Sequence, residues 1–463
     1  MFIFHQGNRG MQVELTNRKV DNINQTNLIM LLYVAIFLMP ILSFAVDQNQ
    51  WSNRVNVSFT TIQDAINNAN AGDTILVPAG IYYEHVIVNK TVLLVGENSN
   101  TTIIDGSNSG TIVQITADGV GITGFRIQNS GYGWTRQGVY VYRANNCTIK
   151  GNSLYNACHN IRLNYSFNSQ AIENRIDGPS DGVTMYGIRI ENSVNCSATG
   201  NHVSVRVGAI HLENATECIV RNNYLAKNDQ GIRLYSPCTR NLIIENTVSD
   251  NNYDGMIATM PPDTTFFDNR IFHNNFINDT NPFIVQSTGT KWDDGLEGNY
   301  WARLQNSDLD KNGIADLPYV FGTERDNYPL MGQFTSYDVS SGFRINVTSD
   351  SKIDDFACFP FNNTIRMYVS ERVANQAQGF CRIAIPHSLI NQTYQVMIDG
   401  VNPDFVNHTL HDDGTSRWIY FNYMLSQHEI IIVPEFQSFL ALVMIAWILM
   451  VPILLVFHRK KTR

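Results

Sequence analysis

The sequence predicts an all-β protein. A right-handed parallel β-helix precedes a small β-sandwich, and an apolar helix lies near each end of the chain. Three observations predict this fold class: a repeat of 22 to 27 residues in the middle of the chain, alternating apolar and polar runs after it, and two long uncharged segments that flank both. Three short strands with their turns fill one repeat of this length, and stacked repeats form a solenoid. About ten turns are expected.

The composition excludes a nucleic-acid partner. Of the 463 residues only 16% are charged, the formal net charge is -9, and the basic residues are scattered. Nucleic-acid binding needs a face on which Lys and Arg are concentrated. We therefore expect a β-rich surface protein with other partners.

The first apolar segment, residues 28–46, follows a few basic residues and ends near the small-residue run Ser43-Phe44-Ala45. This pattern is typical of a secretory signal peptide. About 20 apolar residues also span a bilayer, so an uncleaved N-terminal anchor stays open. Residues 1–46 are predicted to be one or the other.

The second apolar segment, residues 436–457, precedes a short basic tail at residues 458–463. An apolar span followed by basic residues is typical of a transmembrane helix with a cytoplasmic end. Residues 47–433 are therefore expected on the extracytoplasmic face of the cell membrane, held by a single pass.

Sequons agree with that location, because Asn-x-Ser/Thr marks asparagines that can carry glycans outside the cytosol. Twelve occur between the apolar segments, at Asn56, Asn89, Asn100, Asn146, Asn164, Asn195, Asn214, Asn278, Asn346, Asn362, Asn391 and Asn407.

The repeat predicts an internal asparagine ladder, because Asn at a repeated turn position can hydrogen bond to the turns above and below. The expected members are Asn152, Asn174, Asn201, Asn223, Asn246 and Asn269. A second set of short apolar runs recurs in step with the ladder asparagines. Its members start at Gly138, Asn160, Gly187, Gly208, Gly231 and Gly255. Cys147, Cys196 and Cys218 each lie five residues before a ladder asparagine. That phase predicts an inward stack of small thiols rather than disulfides.

Residues 59–106 are predicted to cap the open end of the β-helix. Ile62, Ala65, Ile66 and Ala69 have helical spacing, and an amphipathic helix would cover the first turn. Strands are expected at residues 74–77, 85–88, 92–95 and 102–104. The segment FTTIQDAINNANAGDTILVPAGIYYEHVIV resembles the N-terminal part of pectin-lyase-like β-helices, which implies the fold but no particular reaction.

Repeats over residues 107–290 lead into a closing motif at residues 291–331, so that the β-helix is expected to span residues 55–333. The motif resembles the end of the NosD-like family of β-helical periplasmic copper-binding proteins. The matching residues are Asp294, Gly298-Asn299-Tyr300-Trp301, Asp308, Asp310, Asn312-Gly313-Ile314, Asp316, Pro318-Tyr319, Asp326 and Tyr328-Pro329-Leu330. Direct copper binding is not expected, because no Met-x-x-Met or His-x-His run supplies clustered ligands.

The closing motif also predicts a calcium site. Asp308, Asp310, Asn312 and Asp316 follow the pattern D-x-D-x-N-G-x-x-D, and oxygen side chains on such a loop suit Ca²⁺. The twelfth position is Tyr319 rather than the Glu of an EF-hand, so a solvated turn stays open as the alternative.

Three arginines, Arg162, Arg189 and Arg233, each follow the inward residue of a repeated strand and are predicted to line one outer face. Such a face can bind a glycan, or it can be the ordinary polar outer surface of the solenoid. The acidic residues considered as catalytic partners are Asp177, Asp181, Glu191, Glu213, Asp229, Asp250 and Asp254. No pair of them has a spacing that demands catalysis, so a non-catalytic role is favoured.

The repeat ends before residues 334–433, where alternating runs predict about seven strands and hence a β-sandwich. The segment looks like a sandwich module that stands beside the membrane helix in archaeal surface proteins. Cys358 and Cys381 are predicted to form a disulfide there. The run Val433-Pro434-Glu435-Phe436 resembles the PEF-type sorting signals that archaeosortases read, which implies removal of the apolar helix, with a plain anchor as the alternative.

Together these features predict a membrane-anchored surface protein that binds a polysaccharide or a surface glycoprotein, or supports the envelope, without catalysis. Two alternatives stay open. One is a polysaccharide lyase or glycoside hydrolase acting on an extracellular glycan, and the other is a NosD-like accessory factor in metal-centre maturation.

Overall fold

Strands of two to six residues recur on three sides of the solenoid, because each repeat forms three strands before the chain returns to its starting side. The computed structural model describes residues 60–434 apart from 179–184, 236, 260–267, 280, 286–288, 323, 340–341, 373–375, 390–393 and 425. Each strand pairs in parallel with its counterparts one repeat earlier and later. The predicted parallel β-helix is confirmed, with about nine turns instead of ten.

The three parallel sheets are numbered in the order in which the chain meets them, and strands are numbered along the chain. Sheet 1 contains β1 (Thr74–Val77), β4 (Leu93–Gly96), β7 (Gly121–Thr123), β10 (Thr148–Lys150), β13 (Gln170–Ile172), β16 (Ser197–Thr199), β19 (Ile219–Arg221), β22 (Leu242–Ile244) and β25 (Arg270–Phe272). Sheet 2 contains β2 (Gly80–Tyr82), β5 (Thr102–Asp105), β8 (Arg126–Gly131), β11 (Ser153–Ala157), β14 (Arg175–Asp177), β17 (His202–Ser204), β20 (Tyr224–Ala226), β23 (Thr247–Ser249), β26 (Asn275–Ile277) and β28 (Tyr300–Trp301).

Sheet 3 holds the second repeated series of the sequence. It contains β3 (Val86–Val88), β6 (Val113–Ile115), β9 (Gln137–Tyr142), β12 (His159–Asn164), β15 (Tyr186–Glu191), β18 (Gly208–Glu213), β21 (Gln230–Tyr235), β24 (Asp254–Thr259) and β27 (Asn281–Val285). In β21, Ile232 and Leu234 are buried and Arg233 is half-buried, as the alternation predicted.

The helix α1 (Ile62–Asn68) covers the first turn, as predicted. The Glu84 carboxylate accepts hydrogen bonds from the backbone N–H groups of Ile62 and Gln63, each at 3.0 Å. These N–H groups have no partner within a helix. The buried residues of α1 join the solenoid core and are Ile62, Ala65 and Ile66.

The asparagine ladder lies between sheets 1 and 2. Each member donates from its backbone N and its Nδ2 to Oδ1 of the next. The members are Asn152, Asn174, Asn201, Asn223, Asn246, Asn274 and Asn299. The prediction for Asn269 is wrong, because the last full repeat is longer and Asn274, 28 residues on, takes the place after Asn246.

A second inward column lies at the start of sheet 1 and includes the three predicted cysteines. Cys147 N donates to Ser169 Oγ at 3.1 Å, and Cys218 N donates to Asn241 Oδ1 at 2.9 Å. Asn269 follows Asn241 in this column. Cys147, Cys196 and Cys218 are buried free thiols, so the predicted inward stack is confirmed.

The closing motif seals the far end of the core with aromatic rings and ends the ladder on Asp326. Trp301 stacks on Phe276 with ring centroids 4.4 Å apart, and its Nε1 donates to Asp326 Oδ2 at 2.9 Å. Asn299 N donates to the same oxygen at 2.8 Å. A Cβ at position 298 would lie 1.9 Å from Asp326 Oδ1, so this approach requires Gly298. The hairpin β29 (Tyr319–Phe321) and β30 (Glu324–Asp326) covers the end.

Two antiparallel sheets follow and share one core, which is the predicted sandwich; its described residues form nine strands instead of about seven. Sheet 4 contains β31 (Gln333–Val339), β32 (Phe343–Ser349), β35 (Gln378–Pro386), β37 (Phe405–Asp412) and β38 (Ser416–Met424). Sheet 5 contains β33 (Lys352–Phe359), β34 (Thr364–Ser370), β36 (Tyr394–Ile398) and β39 (His428–Pro434).

The predicted Cys358–Cys381 disulfide is not formed, and both cysteines are free thiols. Cys358 lies on β33 of sheet 5, whereas Cys381 lies on β35 of sheet 4. The Cys381 Sγ contacts Ser349 Oγ at 3.5 Å and the Tyr423 hydroxyl at 3.6 Å instead.

No helix among the described residues has the length and apolarity needed to cross a membrane. The predicted signal peptide or anchor, the apolar segment at 436–457, the basic tail and the end of the sorting motif lie outside the described residues.

Candidate functional site

The outward side chains of sheet 3 form straight columns, because its strands keep their register from turn to turn. Arg162 pairs with Arg189, Arg189 with His211, and His211 with Arg233. The structure therefore brings the three predicted arginines into one column. Sequence reasoning missed His211, which stands where the neighbouring strands have Arg; aligning the repeated runs by register would have found it.

The arginines of this column alternate with carboxylates of the next one. Arg162 Nε donates to Glu191 Oε1 at 2.9 Å, and Arg189 Nε lies 2.7 Å from Glu191 Oε2. Arg189 Nη2 also donates to Glu213 Oε2 at 2.5 Å. Glu191 is only 4% exposed, so these pairs are shielded from water. The face thus carries a continuous chain of opposite charges.

A row of aromatic and imidazole rings runs across the same strands. Neighbouring ring centroids are 5.6 Å apart for Trp134 and His159, 5.6 Å for His159 and Tyr186, 4.7 Å for Tyr186 and His211, and 6.3 Å for His211 and Tyr235. We call these five residues the ring row. It begins at the exposed Trp134 and passes through buried rings, so it combines an accessible platform with a protected interior.

Guanidinium groups lie over rings on this face. Arg189 lies 5.9 Å from the Tyr186 centroid, and Arg233 lies 5.1 Å from the Tyr235 centroid. Gly208 leaves the space that Tyr186 fills, since a Cβ there would lie 2.8 Å from Tyr186 Cδ1. Cation–π contacts of this kind hold the arginine side chains against the sheet.

Unpartnered polar atoms are concentrated on this face. Apart from Arg189 Nε, which lies 2.7 Å from Glu191 Oε2, thirteen buried side-chain nitrogen and oxygen atoms in the described part of the chain have no hydrogen-bond partner, and eight of them lie on four strands of sheet 3. They are His159 Nδ1 and Nε2, Asn160 Oδ1, His211 Nδ1 and Nε2, Gln230 Oε1, Arg233 Nε and Asp254 Oδ1. Because each such atom costs about 1–3 kcal/mol, their concentration makes sheet 3 the candidate binding face.

Both histidines of the ring row are uncharged at neutral pH. Burial, and after it the charges of Arg189 and Arg162, lowers the pKa of His159 to about 3. Burial, and after it Arg189 and Arg233, lowers the pKa of His211 well below its usual value. His211 Nε2 lies 3.9 Å from Glu213 Oε2, but the two side chains do not form an ion pair because the imidazole is uncharged. Each neutral ring offers one donor and one acceptor.

The acidic residues considered from the sequence separate into three groups. Glu191, Glu213 and Asp254 lie on sheet 3, and burial raises the pKa of Asp254. Asp177 lies on sheet 2, whereas Asp229 and Asp250 lie in turns. Asp181 lies outside the described residues.

A groove of about 460 Å³ lies at the turn that leads into sheet 3. Its lining includes Ser204, Arg206, Lys227, Asp229, Asn252 and Tyr253. Tyr253 is exposed and directly precedes Asp254, whose Oδ1 is unpartnered. The groove therefore lies next to the start of β24.

The predicted calcium loop makes its own hydrogen bonds. Asp308 Oδ1 and Oδ2 accept from the N–H groups of Asn312 and Gly313 at 2.8 and 2.9 Å. Asn312 Nδ2 donates to Asp310 Oδ2 at 2.8 Å, while the Asp316 carboxylate accepts from Ser307 Oγ at 2.6 Å. Calcium binding stays a prediction.

The donor set does not fit copper. Among the described residues no three His, Cys, Asp or Glu side chains come together as a metal-ligand set. The buried thiols of Cys147, Cys196 and Cys218 face the solenoid core, away from the ring row.

The structure distinguishes the sequon asparagines by exposure. Asn164 is 5% exposed, and its Nδ2 donates to the Tyr140 hydroxyl at 3.1 Å. The exposed ones are Asn89, Asn100, Asn146, Asn195, Asn214, Asn278 and Asn362, and the half-buried ones are Asn346 and Asn407. Asn56 and Asn391 lie outside the described residues.

The fold and the site define a parallel β-solenoid protein with one polar, ring-lined outer face. A sequence profile of the NosD family, described as periplasmic copper-binding proteins, matches residues 66–266 and 186–306. Because these matches together span just over half of the chain, the protein belongs to the NosD family.

A cell surface glycoprotein of Methanothermus fervidus is 32% identical to the chain over 133 residues. The match covers 28% of this chain and 21% of the glycoprotein, so the chain spans about a fifth of that relative's length. The family description and this relative both indicate an extracytoplasmic location.

Solved structures with a similar fold are far more distant in sequence. A polygalacturonase from Erwinia carotovora ssp. carotovora is 12% identical, with a TM-score of 0.37, and the match covers 51% of this chain and 96% of the enzyme. DFA-IIIase from Arthrobacter chlorophenolicus A6, without its lid and in complex with GF2, is 13% identical, with a TM-score of 0.42 and coverages of 54% and 79%. The Streptococcus pneumoniae surface protein and adhesin PfbA is 15% identical, with a TM-score of 0.35 and coverages of 48% and 81%.

Proposed function

We propose that this protein is a surface β-helix protein that binds a glycan along the outer face of sheet 3 without catalysis. The observation that carries the proposal is the concentration of eight unpartnered buried polar atoms in and beside the ring row. Sugars pair hydroxyl groups with such atoms and stack their apolar faces on rings such as the exposed Trp134. The membrane anchor at residues 436–457 belongs to the same proposal and is supported by its apolar sequence and basic tail.

The pairing of the carboxylates supports a non-catalytic role. Glu191 lies between Arg162 and Arg189, and Glu213 accepts from Arg189, so both carboxylates are already engaged by guanidinium groups. Glycoside hydrolysis needs a carboxylic acid that can protonate the leaving oxygen, opposite a second carboxylate. Asp254 has a raised pKa, and Asp229 lies beside it, but the Asp229 carboxylate already accepts from Asn252 Nδ2 at 3.0 Å.

The binding test uses the full-length protein in detergent and a panel of neutral and acidic polysaccharides, with affinity electrophoresis as the measurement. We expect Trp134→Ala and Arg233→Gln each to weaken binding about tenfold, which corresponds to about 1.4 kcal/mol. The matched controls are Tyr224→Ala and Arg175→Gln on sheet 2, which change another outer face. Equal losses in the controls, or no binding to any polysaccharide, would contradict the proposal.

Catalysis is tested in the same incubations. New reducing ends would show a hydrolase, and new unsaturated ends would show a lyase. Either product would overturn the non-catalytic part of the proposal, and loss of the product in Glu191→Gln or Asp254→Asn would identify the acid.

Membership of a family of periplasmic copper-binding proteins favours a second function, an accessory role in copper-centre maturation. The described residues supply no clustered copper ligands, so we rank it below glycan binding. Metal analysis of the purified full-length protein decides between them: stoichiometric copper that persists through dialysis would support the accessory role.

A further inference from the structure

We infer that the glycan taken by the sheet 3 face is a neutral polysaccharide rather than a polyuronate. The inference rests on the proposed function and narrows its ligand class. It stands on two independent features of the face, which are the internal pairing of its charges and the mixture of donors and acceptors among its unpartnered atoms.

Two of the three arginines of the face are already paired with carboxylates. Arg162 and Arg189 donate to Glu191 or Glu213 over 2.5 to 2.9 Å. A ligand carboxylate at either arginine would have to displace one of these carboxylates, and a displaced Glu191 would be left as an unpaired buried charge. The existing pairs therefore oppose an acidic ligand.

Arg233 differs from the other two arginines. Its Nη1 donates to the Tyr186 hydroxyl at 3.4 Å, and its Nε has no hydrogen-bond partner among the described residues. The same face also holds Asp254, with an unpartnered Oδ1. The strands of sheet 3 carry three arginines and, with Asp254, three carboxylates, and the histidines are uncharged. These strands therefore have no excess positive charge.

The unpartnered atoms include both donors and acceptors. Gln230 Oε1 and Asp254 Oδ1 accept, Arg233 Nε donates, and the neutral rings of His159 and His211 each do both. The two ligand classes differ at C6, where a uronate presents a carboxylate that only accepts hydrogen bonds and therefore opposes Gln230 Oε1 and Asp254 Oδ1. The hydroxymethyl group of a neutral sugar donates one hydrogen bond and accepts others at that position, so it can pair with either kind of atom.

The decisive probe is a pair of polymers with the same backbone. Polygalacturonate carries a carboxylate at C6, and its carboxyl-reduced form carries a hydroxymethyl group there. Neutral glucans, galactans and mannans complete the panel, and the dissociation constant of the full-length protein is measured at 20 and 300 mM NaCl. We expect the best neutral polymer to bind at least tenfold tighter than polygalacturonate, with less than a twofold change between the two salt concentrations.

A variant tests the charge argument directly. Glu213→Gln removes one carboxylate and leaves Arg189 partly unpaired, so its affinity for polygalacturonate should rise severalfold and become salt-dependent. The control Glu217→Gln changes an exposed carboxylate whose partner is Arg240 and should leave both affinities unchanged.

The outcomes separate the two claims. Tighter binding of the polyuronate, weakened by salt, would overturn the neutral-ligand inference while the proposed glycan binding stands. Binding of no polymer of either kind would remove the proposed function and this inference with it. Preference for neutral polymers without salt dependence supports both.

Discussion

Arg382 Nε of the sandwich donates to Glu297 Oε1 of the solenoid at 2.5 Å, and both side chains are only 5% exposed. Trp418 Nε1 donates to the same oxygen at 3.1 Å, and His273 Nε2 lies 3.0 Å from the other oxygen. Burial raises the pKa of Glu297, but His273 and Arg382 outweigh it and hold that pKa at about 2. The β-helix and the sandwich therefore meet through a buried ion pair.

Breaking this pair should destabilise the protein strongly. Arg382→Met leaves the Glu297 carboxylate buried without its cation, and Glu297→Gln leaves the guanidinium unpaired, at a cost of about 3–5 kcal/mol each. Urea unfolding followed by tryptophan fluorescence measures the loss. Arg240→Met is the control, because its pair with Glu217 is half-exposed and should contribute at most about 1 kcal/mol. Similar midpoints for all three variants would contradict the buried pair's role.

Asp279 makes the stability of the wild type depend on pH. Its Oδ1 accepts from Asn251 N and Nδ2, while its buried Oδ2 has no partner among the described residues, and burial raises its pKa to about 6. A raised pKa means that its contribution is fully present below its unfolded pKa of 3.8 and is lost as pH rises through about 6.

Asp279→Asn should remove this dependence. Relative to the wild type, the variant should gain about 1–3 kcal/mol between pH 4 and pH 7. Urea midpoints at several pH values check it. Asp404→Asn, a change in an exposed side chain of the sandwich, should show the same pH dependence as the wild type. If Asp279→Asn also showed that dependence, the Asp279 carboxylate would not be its source.

Asn223 should be essential to the internal ladder. Its Oδ1 accepts from both Asn201 N and Asn201 Nδ2, at 2.9 and 3.0 Å. Asn223→Ala leaves these buried donors without an acceptor, and we expect a loss of about 2–4 kcal/mol. Asn252→Ala removes an exposed amide and should change the unfolding free energy by less than about 0.5 kcal/mol. If Asn223→Ala and Asn252→Ala had the same unfolding free energy, the ladder would not be needed for stability.

Glycosylation should follow exposure rather than the sequon alone. Asn164 is buried against Tyr140 and should carry no glycan, whereas the exposed Asn89, Asn100 and Asn362 are accessible. Intact glycopeptide mass spectrometry of the protein from its native host measures the occupancy. An occupied Asn164 would show that this strand is modified before it folds, or that its hydrogen bond does not persist.

The calcium prediction is tested by thermal unfolding. One tight loop brings the side chains of Asp308, Asp310 and Asn312 into contact, so a bound cation should stabilise the folded state. We expect Ca²⁺ to raise the unfolding temperature by several degrees and Asp310→Asn to abolish the rise. Asp338→Asn, an exposed change outside the loop, should keep it. If Ca²⁺ does not change the unfolding temperature of the wild type, the calcium prediction is wrong and the loop is a hydrogen-bonded turn.

The errors made from the sequence share one origin. Asn269 was predicted for the ladder because the run Asp268-Asn269-Arg270-Ile271 matches the repeated pattern, but the longer last repeat moved that place to Asn274. The pairing of Cys358 with Cys381 was inferred from their presence in one segment, but both are free thiols and Cys381 contacts Ser349 and Tyr423. In both cases the answer depended on the length and path of the intervening chain.

The sequence by itself determined the solenoid, the capping helix and the alternation of inward and outward side chains. These features follow from short-range periodicity, since each strand of a few residues must bury one of its faces in every turn. Only the tertiary structure decided that His211 completes the arginine column, that Glu191 neutralises two arginines, and that Arg382 reaches Glu297 from 85 residues away. Such contacts depend on which turns stack and which surfaces pack against each other, and the sequence alone specifies neither.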